Sequence, residues 1–186
     1  VSAMFGNQSE TVVLTRDCPV IAVPSGEPAM LPAGTEVEIV QALGGSYTIQ
    51  LGWRLFRVDG TDADALGKTP RPKPQLPEGA DDKAVEALVW EQLKTCYDPE
   101  IPVNIVDLGL IYDCLVIPQS NGSRHVQIKM TLTAPACGMG PVLAEEVRRR
   151  VLDVPTVESC DVELVFDPPW DRSRMSEAAR LATGTY

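Results

Sequence analysis

A chain of 186 residues, 44% of them hydrophobic, can bury one large core or two small ones. Its 16 Lys+Arg against 26 Asp+Glu leave a formal charge of -10, which repels nucleic-acid phosphates and anionic membranes, so neither is an expected partner. No stretch approaches the ~20 apolar residues that span a bilayer, no basic-then-apolar leader opens the chain, and the five cysteines are too scattered for a disulfide framework or a zinc CxxC pair, so the expectation is a cytosolic protein with reduced thiols.

In chain order, residues 1–10 are polar and read as a frayed end. Strands are expected at Thr11 to Arg16, Val20 to Val23, Glu36 to Gln41, Tyr47 to Leu51 and Trp53 to Val58. Val37 and Ile39 alternate with Glu36 and Glu38, and Gly44-Gly45-Ser46 makes a tight hairpin turn. Short strands with frequent Gly and Pro predict a small all-β N-terminal domain over residues 1–66, barrel-like or sandwich-like. Cys18, beside Pro19 in a turn, reads as incidental.

Residues 67–79 carry Pro70, Pro72, Pro74 and Pro77 and read as an extended spacer. Residues 80–186 predict an α+β domain, a small mixed sheet covered by helices in the order helix, hairpin, helix, strand. The first helix spans Asp81 to Thr95, with Val85, Leu88, Val89 and Leu93 at helical spacing and Cys96 continuing that apolar stripe. The hairpin pairs Leu108 to Ile117 with Arg124 to Thr133. Val126, Ile128, Met130 and Leu132 take one face, and His125, Gln127, Lys129, Thr131 and Thr133 the other. His125, the sole histidine, reads as a solvated residue on that polar face.

A second helix runs from Pro141 to about Leu152, with Glu145 and Glu146 early and Arg148 to Arg150 late, a distribution that suits the helix dipole. The strand Val157 to Phe166 follows and buries Cys160; strand, helix and strand together imply a crossover between parallel strands. Asp167-Pro168-Pro169-Trp170 ends that strand, and a short helix follows from Ser173 to about Ala182. Trp170 either caps the core or walls a site, and the capping role is the one expected.

The candidate reactive residue is Cys137. Gly138, Met139 and Gly140 separate it from the helix at Pro141, and backbone N–H groups of a glycine-rich turn together with the positive helix end stabilise a thiolate. A thiolate binds soft metals or attacks electrophiles. Asp98, Glu100 and Asp107 bring carboxylates from an earlier loop; each is explained equally by turn chemistry and by support of a thiolate, and Asn104 by a bond to its own backbone. One cysteine cannot close a four-ligand iron-sulfur site, so a cluster held here is labile or shared.

The run from Asp98 to Tyr112 and the run from Thr131 to Gly140 resemble the signature of the SufT family of iron-sulfur cluster assembly proteins. Pro168-Pro169-Trp170 and Met175 to Arg180 resemble the ending shared with PaaD-like relatives. The likeness covers about Ala80 to Gly184, and the Gly44 to Tyr47 turn with Asp62 to Gly67 resembles the extra N-terminal region of SufT. It implies a non-enzymatic accessory factor in iron-sulfur protein maturation, with a labile cluster or iron as cargo, Cys137 as the reactive position, and assembly machinery and apo-proteins as partners. Asp98, Glu100, Asn104, Asp107 and Thr133 fall on motif positions without settled roles, Gly138 and Trp170 support the same site, and a homodimer is consistent with membership. The alternatives are a thiol enzyme using Cys137 as nucleophile, which must recruit His125, and an adaptor that docks through Trp170 and the β-domain.

Overall fold

Six short strands form in the first part of the chain because apolar side chains alternate and paired turn residues reverse the backbone. The structure, a computed structural model, describes residues 9–135 and 138–184. The chain divides into two units, Val1–Pro72 and Lys73–Tyr186.

The first unit comprises β1 (Glu10–Val13), β2 (Cys18–Val23), β3 (Pro28–Leu31), β4 (Glu36–Leu43), β5 (Ser46–Leu51) and β6 (Arg54–Val58). They form one antiparallel sheet in the order β1-β4-β5-β6-β2-β3. Glu10, expected in a frayed end, pairs with Ile39. Gly44 and Gly45 close the β4–β5 hairpin at φ 59 and 79, the left-handed geometry of a two-residue turn that matches strand twist. Cys18, Leu31, Val37, Ile49, Phe56 and Ala65 share one core, so the sheet curls around its own inner face. A 3-10 helix over Gly60–Leu66, which the sequence reading did not foresee, supplies Ala65 and Leu66 to that core. Trp53, in the β5–β6 turn, stands 89% exposed.

The second unit contains α1 (Asp82–Leu93), β7 (Ile111–Pro118), β8 (Arg124–Met130), α2 (Gly140–Leu152), β9 (Val157–Leu164) and α3 (Glu177–Thr183). Asp81 caps α1 by accepting the Ala84 N–H at 2.9 Å. Val85, Val89 and Leu93 face inward from α1, and Leu143, Val147 and Val151 from α2. They bury Val126, Ile128 and Met130 of β8, which pairs antiparallel with β7 and parallel with β9.

Three expectations, on the start of β7, the face of Thr131 and the last helix, are corrected here. Leu108 and Gly109 form a turn ahead of β7, with Gly109 at φ 72 and its N–H donating to Val106 O, so the strand starts at Ile111. Alternation in β8 breaks after Met130: Thr131, expected on the polar face, is 1% exposed and its N–H donates to Leu110 O. The arginine run, which suits the helix dipole, divides between surface and core. Arg148 and Arg149 reach the half-exposed Glu145, whereas Arg150 and Glu146 pair at 3.3 Å with side-chain exposures of 1% and 4%. Arg150 Nη1 also donates to Thr95 Oγ1 at 3.2 Å, tying the end of α2 to the chain just past α1. The helix expected from Ser173 to Ala182 is split into a 3-10 turn at Arg172–Arg174 and α3, which Ser176 caps.

Candidate functional site

The chain from Thr95 to Leu110 folds as a compact loop because its apolar residues point inward while its polar side chains satisfy the backbone. Val103, Ile105, Leu108 and Leu110 are buried, and the Ile105 N–H donates to Cys96 O at 2.9 Å. Asp98 is 6% exposed. Its Oδ1 accepts the N–H groups of Glu100 and Ile101, each at 2.9 Å, and its Oδ2 accepts the Thr133 hydroxyl at 3.3 Å.

Asn104 and Asp107 form a separate closed pair. Asn104 Nδ2 donates to Asp107 Oδ2 at 2.6 Å, and the Asp107 N–H donates to Asn104 Oδ1 at 2.9 Å. Glu100 is exposed, and its carboxylate makes no hydrogen bond or ion pair with a described residue. Thus Asp98 meets Thr133 and Asp107 meets Asn104, while Glu100 joins neither pair. Among the described residues no group of three or more His, Cys, Asp or Glu could hold a metal ion.

A strap from the C-terminal segment holds this loop from outside. The Trp170 indole N–H donates to Leu108 O at 2.7 Å, the Tyr112 hydroxyl to Pro168 O at 2.8 Å, and the Ser176 N–H to Asp107 O at 2.7 Å. Arg174 stacks over the Tyr112 ring, 4.5 Å from its centroid. A Cβ at Gly109 would collide with the Arg174 carbonyl oxygen, so only glycine permits this approach. Trp170 therefore serves as a half-buried anchor packed on the core. Sequence reasoning missed these cross-chain contacts, for which the glycine inside an apolar run at Gly109 was the one available signal.

Cys137 lies outside the described residues. Its flanks are described: Gly138 is exposed, Met139 is 1% exposed, and α2 begins at Gly140 with Pro141 in its first turn and no side-chain cap hydrogen bond from Met139. The other four cysteines are free thiols. Cys18, Cys96 and Cys160 are buried and Cys114 is half-buried. Burial, then the Asp62 charge, pushes Cys18 up to about 11. Burial, then Glu86, pushes Cys114 up to about 11, and burial, then the neighbouring Cys114, pushes Cys160 up to about 12. At neutral pH these three stay protonated and are poor ligands.

His125 is less solvated than expected, with its side chain 19% exposed, Nδ1 2.7 Å from Ser159 Oγ and Nε2 3.4 Å from Asp161 Oδ2. Between His125 and Met130 the strand spans roughly 17 Å, which leaves His125 far from the Thr133 end. No helix among the described residues is long and apolar enough to cross a membrane.

Residues 86–164 match the family described as iron-sulfur cluster assembly protein. The chain is 38% identical over 103 residues to the Fe-S protein maturation auxiliary factor YitW of Bacillus subtilis, a match covering 55% of this chain and 97% of that protein. It is 45% identical over 96 residues to an Fe-S protein maturation auxiliary factor of Porphyromonas gingivalis, covering 52% and 88% of the two chains. It is 34% identical over 87 residues to the Fe-S protein maturation auxiliary factor SufT of Staphylococcus aureus, covering 47% and 94%.

Proposed function

Because this chain belongs to the SufT-type family of iron-sulfur cluster assembly proteins, we infer that it is an accessory factor in the maturation of iron-sulfur proteins. Its cargo is iron or a labile cluster, held transiently by the Cys137 thiolate and passed from the assembly machinery to apo-protein clients. It acts without turning over a substrate of its own, in the cytoplasm, where thiols stay reduced.

The observation that supports the assignment to Cys137 is the start of α2 at Gly140, three positions downstream, whose N-cap residue, Met139, makes no side-chain cap hydrogen bond. The N–H groups of a helix's first turn and its positive end favour an anion, and a thiolate is the form that coordinates iron. The raised thiols of Cys18, Cys114 and Cys160 support the same choice by making those residues unsuited to ligation. One protein thiolate leaves a cluster short of ligands, so the remainder come from a second copy, a client or a small thiol, and such a cluster is readily released.

The distance along β8 and the engagement of His125 with Ser159 and Asp161 disfavour a cysteine-histidine enzyme, whose base must reach the nucleophile within hydrogen-bond distance. Residues 67–79 are proposed to act as the spacer between the two units. The accessory role is tested by deleting the chain from its host. Cluster-dependent enzymes should lose specific activity while their apo-protein persists, and re-expression should restore them. Unaltered client activity in the deleted cells would count against the accessory role.

A further inference from the structure

In the first unit, the pairing of β2 with β6 ends at Val23 opposite Leu55. The next residue, Pro24, has no N–H with which to continue the ladder. Pro24-Ser25 on one side and Trp53-Arg54 on the other border a cavity of about 450 Å³, whose lining Val23 and Leu55 make largely apolar. Trp53 stands 89% exposed at its edge.

The apolar surface continues away from this cavity. Because Cys18, Val20 and Ala22 of β2 point into the core, Pro19, Ile21 and Val23 take the opposite face. Across from them in the ladder stand Met30, Pro28 and Leu55, of which Met30 is 60% exposed. A small molecule filling the cavity would leave that outward face bare, whereas an extended protein segment covers both.

Charge specifies the segment further. Arg54 is the one charged residue lining the cavity. Its guanidinium lies 5.0 Å from the Phe56 ring centroid and forms no ion pair with a described residue, unlike Arg16 of the same unit, which holds Asp62 and Asp64. A cation left without a counterion at an apolar opening attracts a carboxylate and repels a second cation. Tryptophan and arginine are also the side chains that most often concentrate binding energy at protein contacts. We propose that this opening is a docking site for an extended segment of a partner protein, in which a bulky apolar side chain enters between Pro24 and Trp53 beside a carboxylate that meets Arg54. The site is independent of the reading of Cys137 and goes beyond the accessory role.

The test titrates the isotope-labelled full chain with the blocked peptide acetyl-Asp-Phe-Asp-amide and with acetyl-Lys-Phe-Lys-amide, following backbone and indole N–H signals by NMR. The acidic peptide should shift the signals of Val23, Ser25, Arg54, Leu55 and the Trp53 indole saturably, and bind about fivefold more tightly than the basic one. Trp53→Ala, at a solvent-exposed position, should leave the rest of the spectrum in place and weaken binding by about tenfold or more. Arg54→Gln should bring the two peptides to equal affinity. No saturable shift at these residues, equal affinity of the two peptides for the wild-type chain, or undiminished binding by Trp53→Ala would overturn the proposal. So would movement of the same signals with chain concentration alone, which would place a second copy on this face instead.

Discussion

Cells whose only copy of this chain carries Cys137→Ala should show client-enzyme activities as low as cells without the chain, although the variant accumulates as a folded protein. The substitution deletes one sulfur atom, a change that costs about 1–2 kcal/mol at most when a small side chain is truncated. On the proposed role of Cys137, function should fall far more, because alanine offers no lone pair to iron and the other four cysteines are buried or half-buried thiols. Cys18, Cys96 and Cys160 are buried, and burial pushes Cys114 up to about 11. Specific activities of cluster-dependent enzymes, read beside immunoblots for the variant, provide the measurement. Full client activity with the alanine variant would mean that this family member works without its cysteine.

The largest effect on stability is expected at Glu146. Its carboxylate and the Arg150 guanidinium face each other at 3.3 Å with almost no solvent exposure. Removing one charge from a buried pair typically costs about 3–5 kcal/mol, because the remaining ion stays desolvated. Glu146→Gln should therefore lower the melting temperature by roughly 10–20 °C in a domain of this size. Glu145→Gln, which breaks a half-exposed pair with Arg148, should cost less than about 1 kcal/mol. A double replacement of Glu146 and Arg150 by methionine should recover most of the loss, since two well-packed apolar side chains can match a buried ion pair. Equal, small losses for the two glutamine variants would show that the buried pair contributes no more than the surface one.

This pair also marks where pattern reading reaches its limit. Arginines in the last turn of a helix suit the dipole whether or not they are solvated, so nothing local distinguishes Arg150, buried against Glu146 and Thr95, from Arg149 on the surface. The helical stripe of Val85, Val89 and Leu93 and the alternation through Val126, Ile128 and Met130 were legible because burial on one face imposes a local period. The parallel pairing of β8 with β9 followed from the helix between them. Thr131 escaped the pattern because the strand ends one residue earlier and its backbone turns to Leu110.

The candidate site divides in the same way. Cys137 is a proposal drawn from its neighbours alone, glycines ahead of a helix start, and lies outside the described residues. The roles of Asp98 and Asp107 could not be read from their neighbours, because turn-forming and ligand-supporting carboxylates look alike until their partners are known. Those partners are Thr133, 35 positions away, for Asp98, and Asn104, in the same loop, for Asp107. Trp170 was legible as a core cap by its Pro-Pro context, but its acceptor, Leu108 O, lies across the fold.

Whether Cys137 holds the cargo is decided by anaerobic reconstitution with ferrous iron and sulfide, followed by visible absorption and counts of iron and sulfide per chain after desalting. The wild-type chain should retain iron with thiolate-to-iron absorption, and Cys137→Ala should lose both by more than about tenfold. Equal iron and identical spectra in the two proteins would contradict the assignment.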